Sequence, residues 1–176
     1  ITEDVSDRIW AVMGTAVHEV MSSAAHTNTL SEERLAVDVG QWMVDGIPDE
    51  GQWTVTGIPD LYEEDGTLTD WKNISVWSVV YEPDGKAEWE QQLNCYRWLL
   101  EKHGFPVRKL QIVAFLRDWS SRKAQSEPDY PNEQVRVITV PLWPMEKTEA
   151  YITQRLALHS AVEPPVCTES ERWEKP

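Results

Sequence analysis

The segment Trp53-Thr54-Val55-Thr56-Gly57-Ile58-Pro59-Asp60-Leu61-Tyr62-Glu63-Glu64-Asp65-Gly66-Thr67-Leu68-Thr69-Asp70-Trp71-Lys72 decides the fold. Two β-prone runs flank a turn that ends at Gly66, the pattern of a hairpin. With a three-residue loop Glu64-Asp65-Gly66 closed by a left-handed glycine, Glu63 pairs with Thr67 and Asp60 falls opposite Asp70. A two-residue Asp65-Gly66 turn would instead send the two carboxylates to opposite faces, because a one-residue shift inverts every side chain. Alternation places Asp70 and Lys72 on one face of the strand and Trp71 on the other.

Two carboxylates and an ammonium on one patch suit hard divalent cations such as Mg²⁺ or Mn²⁺, which take oxygen ligands and keep open positions for phosphate chemistry. The lysine can orient a water or stabilise charge on phosphate. An ion-paired surface hairpin has the same spelling, so the stretch alone does not decide between the two.

Outward from the hairpin, 176 residues with 41% hydrophobic content and ten tryptophans predict one folded domain, 1–162, followed by a polar tail, 163–176. No apolar run reaches membrane-spanning length and no signal-peptide pattern opens the chain, so an intracellular, cytoplasmic protein is expected. Cys95 and Cys167 are too few for a disulfide framework or a four-cysteine iron–sulfur cluster. The lack of an initiator methionine and the end at Pro176 read as part of a longer product. A formal charge of −14 disfavours a polyanion partner, but residues 97–123 carry seven basic side chains against two acidic ones, a local +5.

In chain order, Ile9, Val12, Met13, Ala16, Val17, Val20 and Met21 follow helical spacing from Ser6 to about Ala25. His18 then lies opposite this stripe, among Ala11, Gly14, Ser22 and Ala25. The expected helix is covered on both sides, with His18 directed into a cleft as an imidazole ligand or as an ordinary hydrogen-bonded histidine. Val37 to Val44 predicts a strand, and Gly46 to Gly51 a turn into the hairpin. Gly46-Ile47-Pro48-Asp49 repeats Gly57-Ile58-Pro59-Asp60, but only the second lies one hairpin away from Asp70. Ile74 to Tyr81 predicts a third strand or an extension of the one before it, and Lys86 to His103 a helix stopped by Gly104 and Pro106. On that helix Gln92 and Tyr96 share a face, four residues apart. Leu110 to Leu116 predicts a central buried strand, Asp118 to Asn132 a mobile loop, Val135 to Val140 another strand, and Met145 to Ala161 a helix after Pro144.

Taken together, Gly14-Thr15-Ala16-Val17-His18, Gly57-x-x-Asp60, Asp70-Trp71-Lys72 and Gln92-x-x-x-Tyr96 resemble the PD-(D/E)XK nuclease superfamily, in particular its RecB-like branch of phage recombination exonucleases and CRISPR-associated nucleases. The resemblance spans residues 14 to 96. It implies an α/β fold with a restriction-endonuclease-like core, a central mixed sheet flanked by helices in the order αβββαβ. It also implies a divalent-metal-dependent DNA nuclease, most simply an exonuclease of phage or bacterial recombination and repair. DNA is the implied substrate, with a second copy or a recombination protein as companion. By the same resemblance His18, Asp60, Asp70 and the main-chain carbonyl of Trp71 hold Mg²⁺ or Mn²⁺, Lys72 works on the attacking water, and Gln92 and Tyr96 orient the strand or brace the site. Some relatives carry an acidic residue one turn after the histidine where this chain has Ser22, with Glu19 or Glu33 as substitutes. The iron–sulfur cysteines of many CRISPR-associated relatives are missing, so no cluster is expected. The competing reading is a non-catalytic binding or assembly module on the same fold, motivated by the acidic balance. A sugar-phosphate or nucleotide hydrolase has no phosphate-cradling glycine loop behind it.

Overall fold

A computed structural model describes residues 5–23, 29–44, 47–161, 163 and 166. The elements run α1 (Val5–Ser23), β1 (Thr29–Leu30), β2 (Leu35–Val44), β3 (Ile47–Gly57), β4 (Leu61–Glu63), β5 (Thr67–Ile74), α2 (Val76–Tyr81), α3 (Ala87–Lys102), β6 (Lys109–Leu116), α4 (Ser121–Ser126), β7 (Val135–Val140) and α5 (Met145–Ser160). A five-stranded mixed sheet, ordered β1-β4-β5-β6-β7, lies at the centre of an α/β fold with helices on its faces. Only β5 and β6 run parallel in it, as their helical connection through α2 and α3 requires. β2 and β3 form a separate antiparallel ribbon. Among the described residues, no helix is long and apolar enough to cross a membrane.

Leu68, Asp70 and Lys72 project from one face of β5, level with Leu110, Ile112 and Ala114 of β6. This face carries α3, and Leu93, Leu99 and Leu100 meet Leu68, Leu110, Ile112 and Leu116 in a fully buried core. Trp71 projects from the other face, where α1 covers β5 and the His18 and Trp71 rings meet edge to face at 5.8 Å. β6 is central, as expected, but only its α3 face is fully buried; Val113 and Phe115 on the second face stay partly open.

The hairpin has the register of the three-residue loop. Leu61 pairs with Thr69 and Tyr62 with Leu68, while Gly66 adopts φ +88° and donates to the Glu63 carbonyl at 2.9 Å. A side chain at Gly66 would also place its Cβ 2.9 Å from the Pro106 carbonyl. Asp60 stands one step beyond the last ladder pair, opposite Asp70.

Several expectations need correction. Trp53 to Gly57 is no arm of this hairpin; it pairs with β2 in the separate ribbon, and only Leu61–Glu63 faces β5. The αβββαβ order therefore omits a ribbon inserted ahead of the hairpin. Ile47 to Gly51, expected as a turn, opens β3; Gly46 lies outside the described residues. Ile74 to Tyr81 is not a strand throughout: β5 ends at Ile74 and Val76–Tyr81 is helical. The Asp118 carboxylate captures the first helical amide, Val76 N, at 2.6 Å and the cap hydroxyl of Ser75 at 2.7 Å, and this tertiary contact overrides β-branched propensity. The loop expected to be mobile from Asp118 to Asn132 contains α4 and is pinned by Trp119 Nε1, which donates to the Pro131 carbonyl at 2.8 Å, and by buried Tyr130.

The apolar stripe of α1 is not covered on both sides. Val12 and Val20 are 62% and 65% exposed, because α1 rests on the sheet through the edge bearing Val17, His18 and Met21. Ala25, expected inside this helix, and nearly all of the tail from 163 lie outside the described residues.

Candidate active site

The site forms where β5 outruns β4. Beyond Leu61 no strand among the described residues pairs with that edge of β5, so the Trp71 amide is left to a side chain, and Asp60 Oδ2 accepts it at 2.8 Å. In a strand the N–H and C=O of one residue point to the same edge, so the Trp71 carbonyl also faces Asp60. Gly57 lets this connection close up: a Cβ there would lie 2.7 Å from Leu99 Cδ1 and 2.8 Å from Tyr96 Cε1. The chain thus leaves β3 in direct contact with α3 and reaches Asp60 three residues later.

Asp70, 1% exposed, points toward α3. Lys72 Nζ lies 2.7 Å from its Oδ2, and Gln92 Nε2 donates to its Oδ1 at 3.1 Å. Lys72 Nζ also donates to Gln92 Oε1 at 3.2 Å, and Gln92 Nε2 reaches the Tyr96 hydroxyl at 3.1 Å. The Gln–Tyr pair therefore braces Asp70 and Lys72. From the opposite face His18 Nδ1 comes within 3.5 Å of Asp60 Oδ1. The structure gathers all seven expected residues around the part of β5 that extends past β4.

The electrostatics are those of two acids crowded in a half-dry cleft. Burial, followed by the charge of Asp70, pushes the Asp60 carboxyl up to about 6, against the Trp71 amide, His18 and Lys72. Burial also raises Asp70, opposed by Lys72 and then His18. Asp70 Oδ2 is held by the Lys72 ammonium at 2.7 Å in a buried ion pair, and a carboxylate oxygen can accept more than one such partner.

These donors fit a hard divalent cation by chemistry: two carboxylates that repel one another, an imidazole, and a carbonyl directed at the same edge. Among the described residues, no three His, Cys, Asp or Glu side chains are already gathered as a finished site. The 3.5 Å between His18 and Asp60 exceeds the roughly 3 Å separating neighbouring ligands around a small octahedral ion.

Asp60 makes a distinct contribution to the pH dependence of the metal-free fold. A carboxyl whose native value lies above its unfolded value favours folding while protonated, and that contribution is lost as pH rises from about 4 through about 6. Asp60→Asn keeps an acceptor for Trp71 N and does not ionise. In chelator it is expected to match wild type at pH 4 and exceed it at pH 8 by up to about 3 kcal/mol. Urea denaturation at both pH values measures this; identical pH profiles for the two proteins would contradict it.

Two features escaped the sequence. The acid that approaches the histidine is Glu32, with Oε1 3.8 Å from His18 Nδ1, rather than Glu19 or Glu33. Ser31 Oγ donates to the Asp60 carbonyl at 2.9 Å, fastening that loop to the site. Only the polar character of Ser31-Glu32-Glu33 hinted at either. The basic run does not form one patch. Arg97 and Lys102 pair with Glu101 and Glu149, Arg108 and Lys109 lie at the Gly66 end of β5, and Arg117 is hydrogen-bonded at its Ile74 end.

The chain matches no protein-family model and no curated protein. Its fold is similar to the crystal structure of SSO0001, with a TM-score of 0.50 and 17% identity over 83% of this chain. The chain spans about three fifths of the other, 59% of which is covered, and at this identity the likeness is one of fold alone.

Proposed function

We propose that this protein is a divalent-metal-dependent deoxyribonuclease of the PD-(D/E)XK kind, an exonuclease of phage or bacterial recombination acting in the cytoplasm. One observation carries the reading: Asp60, Asp70 and Lys72 converge at an open strand edge, with Lys72 Nζ 2.7 Å from Asp70 Oδ2 and Asp60 Oδ2 on the Trp71 amide. Asp60, Asp70, His18 and the Trp71 carbonyl would hold Mg²⁺ or Mn²⁺, which when bound supplies Lewis acidity toward phosphate oxygen and water.

The chain's own groups account for the remainder. Hydrolysis adds a water oxygen to phosphorus and breaks one P–O ester bond, yielding a phosphate monoester and a hydroxyl. The Lys72 ammonium, restrained between Asp70 and Gln92, donates hydrogen bonds to the water and to the charge that develops on phosphate. Gln92 and Tyr96 fix that ammonium against α3, so little reorganisation is needed at reaction.

End-labelled linear DNA and closed circular DNA, incubated with Mn²⁺ or Mg²⁺, provide the test. Release of nucleotides from linear DNA with the circle intact is the expected result; survival of both substrates at every divalent concentration would sink the proposal. A non-catalytic assembly module is the second reading, favoured by the −14 charge and the dispersed basic residues. Such a module has no need of a cation.

A further inference from the structure

We propose that Glu32 is part of the cation-holding apparatus of this site, closing with His18 and Asp60 on the same divalent ion. The inference rests on the metal-dependent reading above and adds a residue to it. Glu32 lies in the connection between β1 and β2, fourteen positions after His18 and twenty-eight before Asp60. Even so, its Oε1 is 3.8 Å from His18 Nδ1, and that nitrogen is 3.5 Å from Asp60 Oδ1. One imidazole nitrogen is thus flanked by carboxylates from two separate segments.

The backbone holds Glu32 to this position. Its φ of +52° is the only left-handed value at a non-glycine residue among the described residues. A turn that needs nothing more than left-handed backbone is better served by glycine or asparagine, and what glycine lacks is the carboxylate. The loop is also fastened to the residue it would serve: Glu32 N donates to the Pro59 carbonyl at 3.0 Å, and Ser31 Oγ to the Asp60 carbonyl at 2.9 Å. Two hydrogen bonds therefore tie the Glu32 turn to the main chain at Asp60.

Left alone, this arrangement places a third carboxylate beside two that already repel each other. Lys72 pairs with Asp70 at 2.7 Å, so among the described residues one ammonium serves a cleft of three carboxylates, and a divalent ion would balance the charge that remains. The Glu32 side chain is 39% exposed and His18 35%, so this flank is open to a hydrated ion arriving from solvent. Both separations are within about 1 Å of those between neighbouring ligands, and a bound ion would draw the three groups together. An ordinary His–Glu surface pair would contribute little and would leave metal affinity unchanged.

Calorimetric titration of the whole chain with MnCl₂, without DNA, separates the two. Glu32→Gln is expected to weaken Mn²⁺ binding by about 10- to 100-fold, with Glu33→Gln unchanged. Glu32→Gly accepts the left-handed backbone without strain, so it is expected to fold at least as stably and still lose that affinity, which excludes misfolding as the cause. Wild-type affinity in both Glu32 variants, alongside lost binding in Asp70→Asn, would overturn the role of Glu32 and leave the nuclease reading standing. Absence of Mn²⁺ binding by the wild-type chain would overturn both.

Discussion

Lys72→Met is expected to lower DNA cleavage by at least about 10²- to 10³-fold, the range for removing a preorganised donor from a developing oxyanion, while Mn²⁺ still binds. Methionine preserves the length and packing of the stem and deletes only the ammonium. That ammonium sits 2.7 Å from Asp70 Oδ2 and 3.2 Å from Gln92 Oε1, and with 24% of its side chain exposed it faces the open edge where a phosphate would lie. Because it neutralises Asp70 directly, it competes with a cation for the same oxygen, so its loss should leave metal affinity equal or higher. A mutant that loses cleavage merely by losing metal would show the opposite in a Mn²⁺ titration.

The same substitution has a structural signature. Asp70 is 1% exposed, and removing one partner of a buried pair costs about 3–5 kcal/mol when the other stays charged. Here the carboxyl can escape by taking up a proton, since burial already raises it and Lys72 is the leading group opposing that rise. The stability deficit of Lys72→Met is therefore expected to be small in acid and to grow as pH rises through neutrality. Cleavage within tenfold of wild type would remove Lys72 from the chemistry.

The sheet register was legible because it rests on local chemistry. Gly66 is suited to the left-handed position that a three-residue loop requires, and once the loop length is set, alternation delivers Asp60 opposite Asp70 and Lys72 beside it. Gln92 and Tyr96 were legible for a similar reason, four residues apart on a helix with clear stop signals. What escaped depends on distant partners. The helix at Val76 exists because Asp118, more than forty residues away, supplies its cap. Trp53 to Gly57 has ordinary strand character, and nothing local tells it to pair with β2 rather than β5. The stripe on α1 announced a helix correctly, but periodicity could not show that the edge bearing His18 would face the sheet and leave Val12 and Val20 in solvent. Glu32 was hidden because a left-handed glutamate has no spelling.

A saturating divalent cation is expected to raise the melting temperature of the wild-type chain by about 5–10 °C, and this shift should vanish in Asp70→Asn. At a free Mn²⁺ concentration near one hundred times its dissociation constant, linkage contributes about 2.7 kcal/mol, and a chain of this size gains about 2–4 °C per kcal/mol. The physical source is already present in the metal-free site. Two carboxylates are held in a buried cleft where both are driven toward protonation, so the fold at pH 7 carries an electrostatic deficit that a cation removes. Asp70→Asn removes the same deficit by another route: it silences the neighbour that raises Asp60 and keeps an acceptor for Gln92 Nε2. Because the variant also gives up the 2.7 Å contact with Lys72, its metal-free melting point is not the diagnostic; the expected result is a Mn²⁺-induced rise in wild type and none in Asp70→Asn. A wild-type melting point that stays fixed across Mn²⁺ and Mg²⁺ titrations at pH 8, where competition from protons is weakest, would mean that the crowded acids serve no cation and that Lys72 is their only counter-charge.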